Sequence, residues 1–216
     1  MKENICLQAV TGSRAYGLNH EGSDYDRMGV FVAPSLQVSG LRWSSNDESW
    51  SNASPDGDDT TYHEIGKFLR LCLKSNPTLI ELLFMEDFEI LDEIGEEMVG
   101  LRSHVLYTKG IENAYIGYAI AQHSRVMREW PDHKLKMSRH CLRIVRQGTE
   151  LLETGSTSVR VSNPQEYFDL DGLDHDELDM VLSENIEKLK SVKSVLPDSP
   201  DEEKIKRFLT KVRAIS

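Results

Sequence analysis

Residues 4–10 (Asn-Ile-Cys-Leu-Gln-Ala-Val) form a short, mostly apolar run, the pattern of a buried strand, and Gly12-Ser13 interrupts it. A short helix is expected next. Residues 24–33 (Asp-Tyr-Asp-Arg-Met-Gly-Val-Phe-Val-Ala) then predict a second strand, whose period of two puts Asp24, Asp26, Met28, Val30 and Val32 on one face. A polar loop is expected over 42–57, carrying Trp43 and Trp50, with a turn signal at Asp56-Gly57. Ile65, Phe68, Leu69 and Cys72 recur at helical spacing over 64–74, and Asn76 as N-cap with Pro77 in the first turn starts another helix to about 84.

The second half reads as helical. A long pattern over 104–130 stops at Pro131-Asp132, and a basic helix over 133–153 ends at Gly155. A brief extended piece is expected at 159–161, then amphipathic helices over 184–195 and 201–214. The fold class is therefore α+β. A small mixed sheet with helices occupies residues 1–102, and a helical half, 103–216, contributes to a substrate cleft.

Composition narrows the setting. A chain of 216 residues buries a substantial core, and no apolar run approaches the length that crosses a bilayer. The start, Met-Lys-Glu-Asn, lacks a signal-peptide hydrophobic stretch, so a cytoplasmic protein without a membrane partner is expected. Cys6, Cys72 and Cys141 lie far apart within apolar patterns and read as reduced core thiols. The net charge of -11 argues against a long duplex partner, yet Arg125, Arg128, Lys134, Lys136, Arg139, Arg143 and Arg146 make one stretch locally basic. Lys136, His140 and Arg143 fall at i, i+4 and i+7, sharing a helix face; the alternative is a solvated face paired with nearby acids.

The chemistry concentrates between Gly12 and Asp26. A small-residue turn after a strand offers backbone N–H groups and the Ser13 hydroxyl to a phosphate. Two carboxylates one residue apart on one strand face repel unless a cation lies between them. Magnesium takes hard oxygen ligands and shares them with substrate phosphates, so a phosphate cradle followed by Asp24-x-Asp26 describes a metal-nucleotide site. Arg14, next to the turn, reaches toward a phosphate or forms a structural salt bridge.

The run Gly12-Ser13-Arg14-Ala15-Tyr16-Gly17-Leu18, followed by Ser23-Asp24-Tyr25-Asp26, resembles the signature of the DNA polymerase beta nucleotidyltransferase superfamily. Within it the chain is most similar to the predicted nucleotidyltransferases that include RNA-repair-associated polymerase-beta-like proteins. Residues 67–71 running into 76–84, and 138–143 leading to 150–155, fit the same branch. The resemblance implies a metal-dependent transfer of a nucleoside monophosphate from an NTP, ATP included, to an acceptor hydroxyl, with release of pyrophosphate.

It further implies two Mg2+ or Mn2+ ions on Asp24, Asp26 and a third carboxylate that helps activate the acceptor. Asp59 is the candidate, sharing a period-2 face with Thr61 and His63, and Asp58 is its competitor. Gly12, Ser13, Arg14, Ser23 and Lys136 are the implied nucleotide contacts. An RNA end, such as a tRNA under repair, is the implied acceptor. Two other readings stand beside it: a protein hydroxyl, as in AMPylating antitoxin-like enzymes, and a regulatory module that binds nucleotide without turnover.

Overall fold

Leu7 and Ala9 on one strand and Val30 on the next are fully buried, and they define the inner face of a sheet. The computed structural model describes residues 4–53, 59–130 and 134–216. These divide into two compact units, Met1–Val105 with Pro200–Ser216, and Leu106–Ser199.

In the first unit, β1 (Ile5–Val10) leads into α1 (Gly12–Tyr16), then β2 (Arg27–Phe31) and α2 (Ser35–Val38). Next come β3 (Ser49–Ala53), β4 (Asp59–Glu64), α3 (Ile65–Leu73), α4 (Pro77–Leu83), β5 (Ile90–Leu91) and α5 (Glu93–Val99). The sheet order is β3-β4-β2-β1-β5, with β2 and β4 parallel and the other neighbours antiparallel. The α+β class read from the hydropathy pattern is the observed one.

Strand β3 lies inside the stretch expected to be loop. Its Ser-Trp-Ser-Asn sequence alternates with a single aromatic, because an edge strand needs only one inward side chain. Trp50 stacks on Tyr62, its cross-strand partner, with centroids 4.2 Å apart, and Trp43 packs on the same cluster with Phe31 and Ala33. Both tryptophans thus belong to packing. Tyr62 lies over Gly29, where an added Cβ would stand 2.6 Å from its ring. The turn at Asp56-Gly57 lies outside the described residues.

The helix starts follow local chemistry. Asn76 accepts hydrogen bonds from the N–H groups of Thr78 and Leu79, with Pro77 in the first turn, as its sequence predicts. Glu64 caps α3 by accepting from the Gly66 N–H at 2.7 Å. Its other carboxylate oxygen binds Arg213 Nη2 at 2.6 Å, and Arg213 Nη1 donates to the Ala33 carbonyl.

The second unit runs from α6 (Thr108–Ile111) through a π turn at Glu112–Ile116 into α7 (Gly117–Arg128), then α8 (Lys134–Thr154), α9 (Pro164–Asp169) and α10 (His175–Ser191). The residues of the Pro131-Asp132 break lie outside the described set. Gly155 stops α8 at φ +72°. The expected extended piece at 159–161 is absent among the described residues. Thr157 Oγ1 and the Ser158 N–H both bind the Glu150 carboxylate, and Ser158 Oγ binds the Arg160 carbonyl, so local side-chain bonds hold that backbone in bends.

Helix α10 begins nine residues before the expected start at 184, because Asp174 and Glu177 form a capping box. The last helix, α11 (Glu202–Ile215), was expected with the helical half and instead belongs to the first unit, held there by Arg213.

The three cysteines are buried and free. Burial pushes the Cys6 and Cys141 thiols up to about 12, which keeps them protonated and unreactive. No helix among the described residues is long and apolar enough to cross a membrane.

Candidate active site

Gly12 opens α1 at φ +68°, and a Cβ built there would stand 2.5 Å from Oδ2 of Asp26. Only glycine lets the turn and the carboxylate approach this closely. The Thr11 N–H donates to the Asp26 carbonyl at 2.8 Å, so the end of β1 fixes the arm leading into β2. The two halves of the motif, about a dozen residues apart in sequence, are in contact.

The expected strand over 24–33 is shorter than its pattern. Strand β2 starts at Arg27, so Asp24 and Asp26 lie on an arm that precedes the ladder. Asp24 is exposed and Asp26 half-buried. Asp59 opens β4 and is exposed. Because β2 and β4 pair in parallel from Arg27 opposite Thr60, Asp26 and Asp59 each stand one residue before that first pair, at the same end of the two strands. Asp58, the competitor, lies outside the described residues.

Among the described residues, no group of three or more His, Cys, Asp or Glu side chains is gathered to hold a metal unaided. Magnesium sites at phosphates need only one or two protein carboxylates, the remaining oxygens coming from substrate and water. The hard oxygen set of Asp24 and Asp26 beside the Gly12 turn fits that donor chemistry.

Helix α1 is only five residues long, so no appreciable helix dipole stands behind the turn. Its C-terminal end is closed by Gly17 at φ +72°, with the Leu18 N–H donating to the Ser13 carbonyl. Arg14 turns back on the arm. Its Nη2 and Nε donate to the Ser23 carbonyl at 2.6 and 3.2 Å, Nε also reaches the Asp24 carbonyl at 3.2 Å, and the guanidinium lies 3.7 Å from the Tyr25 ring centroid. Ser23 Oγ accepts from the His20 N–H, closing the turn before the arm. Tyr16, at the end of α1, donates to buried Glu81 of α4.

A model of the RNA repair pathway DNA polymerase beta family matches residues 2–211. The chain belongs to that family. No curated protein matches it. One similar solved structure is a nucleotidyltransferase-like protein from Exiguobacterium sibiricum, 8% identical, with a TM-score of 0.32, covering 100% of this chain and 76% of that one.

In this polymerase beta family member the basic helical stretch is largely committed to internal pairs. Arg125 and Arg128 bind Glu129, Arg139 binds Asp171, and Arg146 binds Glu166. Lys136 is exposed on α8 in the second unit. His140 donates to or accepts from the Tyr118 hydroxyl at 3.0 Å, and Nη2 of buried Arg143 approaches its Nδ1 at 3.3 Å. Burial, then the charge of Lys136, holds the His140 imidazole below its ordinary value.

Two site-shaping residues escape sequence reasoning. The arginine partners of Tyr25 leave no signal in the local pattern. The Tyr16 to Glu81 bond joins segments 65 residues apart and leaves no local signal.

Proposed function

We propose that this chain transfers a nucleoside monophosphate from an NTP to an acceptor hydroxyl and releases pyrophosphate. The observation that carries the reading is the contact of the Asp26 carboxylate with the Gly12 turn, in a chain of the RNA repair pathway DNA polymerase beta family. In this proposal Gly12 and Ser13 seat the phosphate tail, and Asp24 and Asp26 hold Mg2+ or Mn2+. When bound, the metal neutralises phosphate charge. Asp59, at the same end of the β2–β4 pair as Asp26, orients the acceptor hydroxyl and accepts its proton. The Ser23 and Arg14 contributions are to shape the arm, with Arg14 facing carbonyl groups.

The family's description favours an RNA end as acceptor, and a tRNA-like end is the form proposed. A protein hydroxyl is the second reading, favoured by one observation: Arg125, Arg128, Arg139 and Arg146, the arginines of the basic stretch nearest to acids, are each paired with a carboxylate. Incubation with α-phosphate-labelled NTPs, Mg2+ or Mn2+, and separate RNA-end and protein acceptors tests both. Label on the RNA supports the first reading, label on protein the second, and metal-dependent NTP binding with no transfer to either would leave a regulatory module.

A further inference from the structure

Tyr25 separates the two carboxylates of the Asp24-x-Asp26 arm and is itself 41% exposed, an unusual place for a large ring with no core to fill. The arm precedes β2, so ladder hydrogen bonds do not order Asp24 or Tyr25. Two guanidinium groups lie over the ring instead, Arg14 at 3.7 Å from its centroid and Arg27 at 5.3 Å. Arg14 also binds the carbonyls on the N-terminal side of the ring, and Arg27 is anchored by Glu89 at 3.0 Å.

We propose that Tyr25, held by Arg14 and Arg27, is a positioning residue that presets the Asp24-x-Asp26 arm for a divalent cation. Cation–π attraction holds the ring, and with it the backbone that carries Asp24 and Asp26. The ordering cost of the arm is met on folding and not when the cation arrives. The two positive charges near the Tyr25 ring also favour ionised carboxylates on the residues flanking it. Arg14 acts here through backbone carbonyls and the ring, which distinguishes it from a phosphate ligand.

This inference rests on the metal-site reading, and the test separates the two. Mn2+ binding is measured by electron paramagnetic resonance in the full chain without turnover, for the wild type, Tyr25→Leu, Tyr25→Phe, Arg14→Lys and the Asp24→Asn/Asp26→Asn double variant. Tyr25→Leu is expected to weaken Mn2+ binding roughly tenfold, as loss of an outer-shell support does. Tyr25→Phe keeps the ring and is expected to bind Mn2+ more tightly than Tyr25→Leu. Arg14→Lys weakens Mn2+ binding, while the KM for NTP at saturating metal stays unchanged in all three.

A folded Tyr25→Leu protein that binds Mn2+ like the wild type, while the double Asn variant does not, overturns the positioning role alone. Should Tyr25→Leu fail to fold, Arg14→Lys carries the test, and a raised KM for NTP with unchanged Mn2+ binding overturns the proposal by returning Arg14 to the phosphate. Wild-type Mn2+ binding by the double Asn variant overturns the metal site itself.

Discussion

The hydroxyl of Tyr16 donates a 3.0 Å hydrogen bond to Oε2 of Glu81, a carboxylate that is 2% exposed within α4. The bond ties the end of the glycine-serine helix to the Asn76-Pro77 helix. Tyr16→Phe removes the donor from a buried charged acceptor and is expected to cost roughly 1–3 kcal/mol. Urea unfolding checks this, and an unchanged midpoint would show that the bond adds nothing to stability.

Gly12→Ala introduces two faults at once. The backbone sits at φ +68°, which costs a residue with a Cβ about 1–2 kcal/mol, and the new methyl would meet Asp26 Oδ2. The carboxylate must move, and displacement of about an ångström at a reacting centre costs roughly a hundredfold in rate. Steady-state kinetics with NTP should show the loss in kcat; wild-type turnover by a folded Gly12→Ala protein would place Asp26 outside the reaction.

Arg213→Met strips the partner from Glu64, whose carboxylate is 2% exposed. Uncompensated buried charge of this kind costs roughly 3–5 kcal/mol. Adding Glu64→Gln to Arg213→Met should recover part of the loss in a denaturant titration. If Arg213→Met unfolds at the wild-type midpoint, the pair does not hold α11 to the first unit.

Stability of the helical unit should fall with acid through His140. Arg143 presents an N–H to Nδ1, so that nitrogen accepts, and the neutral ring carries its proton on Nε2 toward Tyr118. The folded state thus disfavours the imidazolium, while the unfolded chain takes up a proton around the ordinary value of 6.5. Where the unfolded state binds more protons, stability rises with pH. Full stability is therefore expected above 6.5, declining as the pH drops below it. Melting curves across this range should be flatter for His140→Gln, and identical slopes in the two proteins would remove His140 as the cause.

Local signals in the chain were readable and distant ones were not. Asn76-Pro77 and Gly155 announce a helix start and stop through their own backbone chemistry. Strand β3 was hidden because an edge strand buries little more than Trp50. The reach of β2 was overread: Asp24 to Asp26 alternate like a strand, but β4 meets β2 only from Arg27 onward. Gly12 and Asp26 could be joined from sequence because a motif spans them. The Glu64 to Arg213 and Tyr16 to Glu81 pairs could not, since nothing near either residue encodes a partner 149 or 65 positions away.

Transfer of label from an α-phosphate-labelled NTP, followed in single turnover with Mg2+ for the wild type and for Asp26→Asn, tests the central claim most directly. The account predicts label on the acceptor with matching pyrophosphate release by the wild type, and a loss of at least about a hundredfold in Asp26→Asn with its fold intact. Equal rates of transfer by the two proteins would contradict it.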